Sequence, residues 1–155
     1  MEWGELMKKL LVAVMAVMMM TNGCVSMRDL SDAVIQERKS GKEGVTKVYP
    51  VSANQAWDIT EAVFRWQKTD EVEEHRIENY VITSSGMKMA IFGSVLGVWI
   101  EPVDQDNTRL TVISKNRNNY CVLTELTPSH FYRNFEQGVD IIKHGKKLPV
   151  VPPEK

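Results

Sequence analysis

The sequence predicts an α+β fold, in which an antiparallel sheet of four to five strands has two helices packed on one face. Two segments with apolar residues at helical spacing, Ala53–Trp66 and the stretch after Pro128, enclose a series of strand-like runs. Val95–Val103 and Thr108–Ser114 flank the polar tetrapeptide Asp104–Asn107 and form the clearest predicted hairpin. The predicted order is therefore strand, helix, three or four antiparallel strands, helix.

The first strand is predicted over Thr46–Val51, and the first helix follows it directly. Ser52 and Gln55 have the spacing of a capping box, which marks a helix start. Apolar residues then recur at steps of three or four and define one buried face: Ala56, Ile59, Val63 and Trp66. We expect this helix to cover one face of the sheet.

The middle strands and the last helix have similar local signals. Val72–Ile77 and Tyr80–Ser84 are strand-like runs separated by a predicted turn, and Tyr120–Leu123 is a predicted short edge strand. The last helix is predicted from Pro128, with Thr127 as N-cap and Gly145 as the stop. Its apolar stripe contains Phe131, Phe135, Val139 and Ile142. We assign Trp57, Trp66, Phe131 and Phe135 to the core.

Composition limits the function classes. The 155 residues suit one domain, and the net charge of −1 provides no basic field for nucleic acid. The two cysteines, Cys24 and Cys121, do not define a disulfide framework. We therefore expect no nucleic-acid partner.

The N-terminal segment has the pattern of an export signal. Lys8 and Lys9 precede the apolar run Leu10–Met20, which is too short to span a bilayer and has the length of a signal-peptide core. Translation from Met7 would omit two upstream glutamates and restore a positive start, which is a hypothesis.

The Gly23-Cys24 junction resembles the lipobox of bacterial lipoproteins. The alternatives are an ordinary cleaved signal followed by a chance cysteine, and a buried N-terminal helix. The resemblance implies a signal peptide over residues 1–23 and a mature chain that begins at an acylated Cys24 and is held in the membrane by acyl chains such as palmitate. Val25, where aspartate would favour inner-membrane retention, implies the outer membrane, with the domain facing the periplasm. The order of elements also resembles small envelope lipoproteins and the repeat domains of outer-membrane assembly lipoproteins.

The chain beyond the signal divides into three predicted regions. Residues 24–44 are predicted to be the lipidated N-terminus and a polar tether, with one or two helical turns around Leu30, Val34 and Ile35. Residues 45–147 form the α+β domain, and residues 148–155 form a Pro-rich, extended tail.

The sequence contains no pattern that predicts catalysis, a metal site or a cofactor. His75 lies among glutamates, but its spacing to Glu78 places the two on opposite faces of a strand. Cys121 has no nucleophile signature around it, and we interpret it as a buried or edge-strand thiol.

One apolar segment is a candidate docking surface for a lipid or a partner protein. Its residues are Met87, Met89, Ile91 and Phe92. The alternative is a core strand that ends near Gly93. We expect a non-enzymatic, lipid-anchored envelope protein whose domain binds or scaffolds another envelope protein. The alternative is a soluble periplasmic or secreted small-ligand-binding protein.

Overall fold

The computed structural model describes residues 26–41, 44–85, 93–117 and 126–153, and it confirms the α+β fold. Three helices and five strands occur in these residues. In chain order they are α1 Met27–Lys39, β1 Val45–Tyr49, α2 Ala53–Gln67, β2 Glu71–His75, β3 Tyr80–Ser85, β4 Ser94–Pro102, β5 Thr108–Asn116 and α3 Pro128–Lys143.

The five strands form one sheet in the order β1-β5-β4-β3-β2, and all neighbours are antiparallel. Strands β2 to β5 follow one another as a meander, while α2 carries the chain from the β1 edge to the β2 edge. One end of the sheet, where Ser85 pairs with Ser94 and Ser94 with Asn116, is called the α1 end below. The other end, with the turns at 76–79 and 103–107, is called the hairpin end.

Helices α2 and α3 cover the first face of the sheet, as predicted. The Ser52 hydroxyl accepts from the Gln55 amide and caps α2, and Thr127 caps α3 in the same way. Gly138 of α3 lies directly against Ile59 of α2, so the two helices approach closely. The four aromatic residues assigned to the core, Trp57, Trp66, Phe131 and Phe135, are all buried on this face.

Helix α1 covers the second face and differs from the predicted tether. It packs along β4 and β5, with Leu30 and Val34 buried in a second apolar cluster beside Trp99 and Ile113. The reason lies in β4: Val95 and Trp99 point to this face, while Leu96, Val98 and Ile100 point to the first face. Because β4 is apolar on both sides, a second layer is needed to remove it from water.

The predicted C-terminal tail also packs on the domain in part. Leu148 packs against the core of the first face, and the Trp66 indole Nε1 donates to the Pro149 carbonyl at 3.0 Å. Val150 and Val151 are exposed. The packed structure therefore extends beyond the predicted domain limits of 45 and 147, at both ends.

Candidate functional site

A cleft of about 390 Å³ lies on the second face, between α1 and the edge strand β2. Helix α1 covers β4 and β5 on this face. The α1 wall contributes Met27, Arg28, Ser31, Asp32 and Ile35, and the sheet contributes Glu71, Glu73, His75, Ile82 and Ser84. The cleft follows the whole length of β2.

The cleft has an apolar base and a charged rim. Ile82 of β3 is buried in the base, and Met27 and Ile35 pack against the same cluster. The alternation of β2 places Glu71, Glu73 and His75 on this side of the sheet, opposite Ser84, Ile82 and Tyr80. With Asp32 on the α1 side, the lining holds three carboxylates against the Arg28 guanidinium. The rim is therefore anionic.

Stacked rings close the cleft toward the hairpin end. The His75 ring stacks on Tyr80 at 4.4 Å, and Tyr80 stacks on Trp99 at 5.7 Å between centroids. Arg38 lies 5.8 Å from the Trp99 ring and pairs with Glu101 at 2.7 Å. Burial raises the pKa of the Tyr80 hydroxyl, and the carboxylates of Glu78 and Glu73 raise it further. These contacts connect β2, β3, β4 and α1 at the hairpin end of the cleft.

The hydroxyl of Ser84 and the imidazole of His75, which both line the cleft, lie far apart along the sheet. Ser84 pairs with Glu71, and His75 lies four residues further along β2, about 13 Å away at the rise of a strand. That separation is too long for a hydroxyl nucleophile and its base, which need hydrogen-bond contact. The Ser31 hydroxyl donates to the Met27 carbonyl instead. His75 Nε2 lies 3.9 Å from the nearest Glu73 oxygen.

The cleft was also compared with the ligand sets of metal sites, over residues 26–41, 44–85, 93–117 and 126–153. These residues contain no group of three histidine, cysteine or carboxylate side chains placed to hold an ion. The sequence predicted His75 and Glu78 on opposite faces of one strand. This is wrong for Glu78, because β2 ends at His75 and Glu78 lies in the turn that follows.

The site residues predicted from sequence lie outside the described residues. These are Cys24, the docking candidates Met87, Met89, Ile91 and Phe92, and also Cys121 and the predicted strand Tyr120–Leu123. Sequence reasoning missed the cleft because its walls come from α1 and from the register of β2 and β3. The continuous apolar run of β4 was the one signal for a second layer.

Comparison with known proteins gives no family for this chain. No protein-family model matches it, and no curated protein matches it. Among the described helices, none has both the length and the apolar character required to cross a bilayer. The site must therefore be interpreted from its own geometry.

Proposed function

We propose that the protein is a lipid-anchored cell-envelope protein whose α+β domain is a non-catalytic binding domain for another envelope protein. The observation that carries the proposal is the open cleft between α1 and β2. Its Met27 end lies three residues after Cys24, the predicted acylation site. A partner in this cleft would be held close to the outer membrane.

The lining indicates the chemistry of the partner. Asp32, Glu71 and Glu73 favour basic side chains, while the Ile82 base favours an apolar side chain. The backbone of β2 lies at the sheet edge, where an extended segment can add as a further strand. We therefore propose a partner segment that combines basic and apolar residues.

The anchor is tested by intact-mass spectrometry of protein purified from membranes. We expect a mature chain that begins at Cys24 and carries diacylglycerol, and a Cys24→Ser variant without that mass. Cleavage at another position, or an uncleaved chain, would contradict the lipoprotein proposal.

The cleft is tested by site-specific photocrosslinking in the native envelope. A photoreactive residue replaces Ser31, a partly exposed residue on the α1 wall of the cleft, and a matched control replaces Asp58, which is exposed on α2. We expect a discrete crosslinked protein from position 31 only, and we expect the double charge reversal Glu71→Lys/Glu73→Lys to remove it. Equal products from both positions would contradict the cleft as the binding site.

A soluble small-ligand-binding protein is the second candidate. The cleft volume of about 390 Å³ favours it, because this volume is typical of small-molecule pockets. The two candidates differ in their need for an anchor. If Cys24→Ser protein with a conventional signal peptide retains function as a soluble protein, the small-ligand proposal is favoured.

A further inference from the structure

We propose that the α1 end of the sheet lies directly against the lipid headgroups, so that the domain stands on the membrane without a flexible spacer. This inference rests on the proposed acylation of Cys24. It identifies the bilayer surface as the partner of one particular end of the domain.

Helix α1 is fixed to the sheet along its whole length. Leu30 and Val34 are 7% and 0% exposed. Arg38 pairs with Glu101 at 2.7 Å, and Glu37 pairs with Lys115 at 2.7 Å. The helix therefore moves with the domain.

The ordered contacts begin before the first helical residue. The Ser26 side chain accepts from the Asp29 amide, and the Asp29 carboxylate accepts from the Ser26 amide, which completes a capping box. These bonds lower the pKa of the Asp29 carboxyl. The described contacts thus reach Ser26, two residues after Cys24 in the sequence.

Chain length then limits the height of the domain above the membrane. Three residue steps separate Cys24 from Met27, and a fully extended chain covers at most about 3.6 Å per residue. An acylated Cys24 lies at the membrane surface. The start of α1 is therefore held within about 11 Å of that surface.

The direction of α1 decides which end of the sheet is close to the lipid. Gly93, at the start of β4, lies against Met27, while Arg38 reaches Glu101 near the end of β4. Helix α1 thus runs along β4 from the α1 end to the hairpin end. The nine residues of β4 span about 30 Å, so the turns at 76–79 and 103–107 can lie up to about 30 Å further from the bilayer than the start of α1.

Charge does not select this orientation, because the first turn of α1 carries both Arg28 and Asp29. The orientation follows from the short covalent connection and from the packing of α1. It also places the Met27 and Arg28 end of the cleft beside the headgroups, with the His75 end directed away from them.

The test measures distance from the membrane at the two ends of the domain. Lipidated full-length protein in a Cys121→Ser background carries a fluorophore at Arg28→Cys or at Asp106→Cys. Both positions are exposed, the first at the α1 end and the second in a hairpin-end turn. The protein is reconstituted into phosphatidylethanolamine and phosphatidylglycerol vesicles that contain a headgroup-attached nitroxide quencher.

We expect severalfold stronger quenching at position 28 than at position 106. A matched variant with a flexible Gly/Ser insertion of about 12 residues between Val25 and Ser26 should lose this difference, because such a linker releases the domain from the surface. Intact mass on the same sample separates the two proposals. Equal quenching, or stronger quenching at position 106, with the lipid mass present overturns the orientation alone, while absence of the lipid mass overturns both.

Discussion

At the scale of single residues, the Tyr132 hydroxyl connects α3 to the two strands at the β1 edge. It lies 2.6 Å from the Val45 carbonyl and 2.9 Å from the Leu110 carbonyl, and the Tyr132 side chain is buried. Burial raises the pKa of this hydroxyl, which therefore remains a donor at physiological pH. We expect Tyr132→Phe to lower the free energy of unfolding by about 1–3 kcal/mol, because it removes the hydroxyl whose one proton is shared between the buried Leu110 carbonyl and the partly buried Val45 carbonyl.

Urea unfolding of Tyr132→Phe measures this effect, with Tyr49→Phe as the control. The Tyr49 hydroxyl donates at 3.0 Å to Glu136, whose half-exposed carboxylate remains hydrated after the change, so a smaller loss is expected. Equal losses in the two variants would contradict the role given to the buried carbonyls.

The ion pair between Glu136 and Lys47 should make the free energy of unfolding depend on pH. The Lys47 ammonium donates to it at 2.9 Å, and this bond, with a smaller contribution from Tyr49, holds the pKa of Glu136 below its usual range. A lowered folded pKa stabilises the protein above the unfolded pKa of about 4.3, and the contribution is lost as pH falls through the folded pKa.

Glu136→Gln should therefore show a smaller loss of unfolding free energy than the wild type between pH 6 and pH 3. Both side chains of the ion pair are about half exposed, so we expect a difference of a few tenths of a kcal/mol. Urea titrations at each pH measure it. Parallel pH profiles for the two proteins would show that the ion pair contributes nothing.

At the scale of elements, the contact between α1 and β4 depends on Gly97. A Cβ at this position would lie 2.8 Å from Val34 Cγ1 and 2.9 Å from the Trp99 ring. We expect Gly97→Ala to lower the free energy of unfolding by about 1–3 kcal/mol through overpacking. Adding Val34→Ala should cost less than the sum of the two single changes, because it removes one of the clashing groups.

Denaturant unfolding of the four proteins in this cycle measures the coupling. Gln36→Ala, on the exposed side of α1, is the control and should leave stability nearly unchanged. Strict additivity of Gly97→Ala and Val34→Ala would show that α1 does not pack on β4 as described.

The contact between α1 and β4 also shows which helices the sequence could predict and which it could not. Helices α2 and α3 have local signals, since Ser52 and Thr127 cap them and their apolar residues recur at helical spacing. Helix α1 has a mostly polar sequence and buries only Leu30 and Val34. Its place depends on the second apolar face of β4, which is distant in the chain.

The cleft was beyond prediction for the same physical reason. The sequence alone drew attention to His75, but the stacking of His75 on Tyr80 depends on strand register. The opposite wall exists only once α1 has docked. Local patterns predict elements, whereas this site is made by the packing of one element on another.

At the scale of the whole molecule, the domain has three layers, and the layer contributed by α1 protects a second core. Without α1, four apolar side chains of the sheet would face water together: Ile82, Val95, Trp99 and Ile113. Such a contiguous apolar patch promotes association between molecules. The domain limit predicted from sequence, residue 45, would remove this layer.

We therefore expect a protein that starts at Gly44 to be less stable than one that starts at Ser26. It should also show red-shifted tryptophan emission, because Trp99 is only 7% exposed beneath α1. Urea unfolding, emission spectra and light scattering of the two proteins make the comparison, with the Ser26 protein as the reference. Identical spectra and stabilities would mean that α1 adds nothing to the core of the domain, and the proposal that α1 holds the sheet at the membrane would then lose its basis.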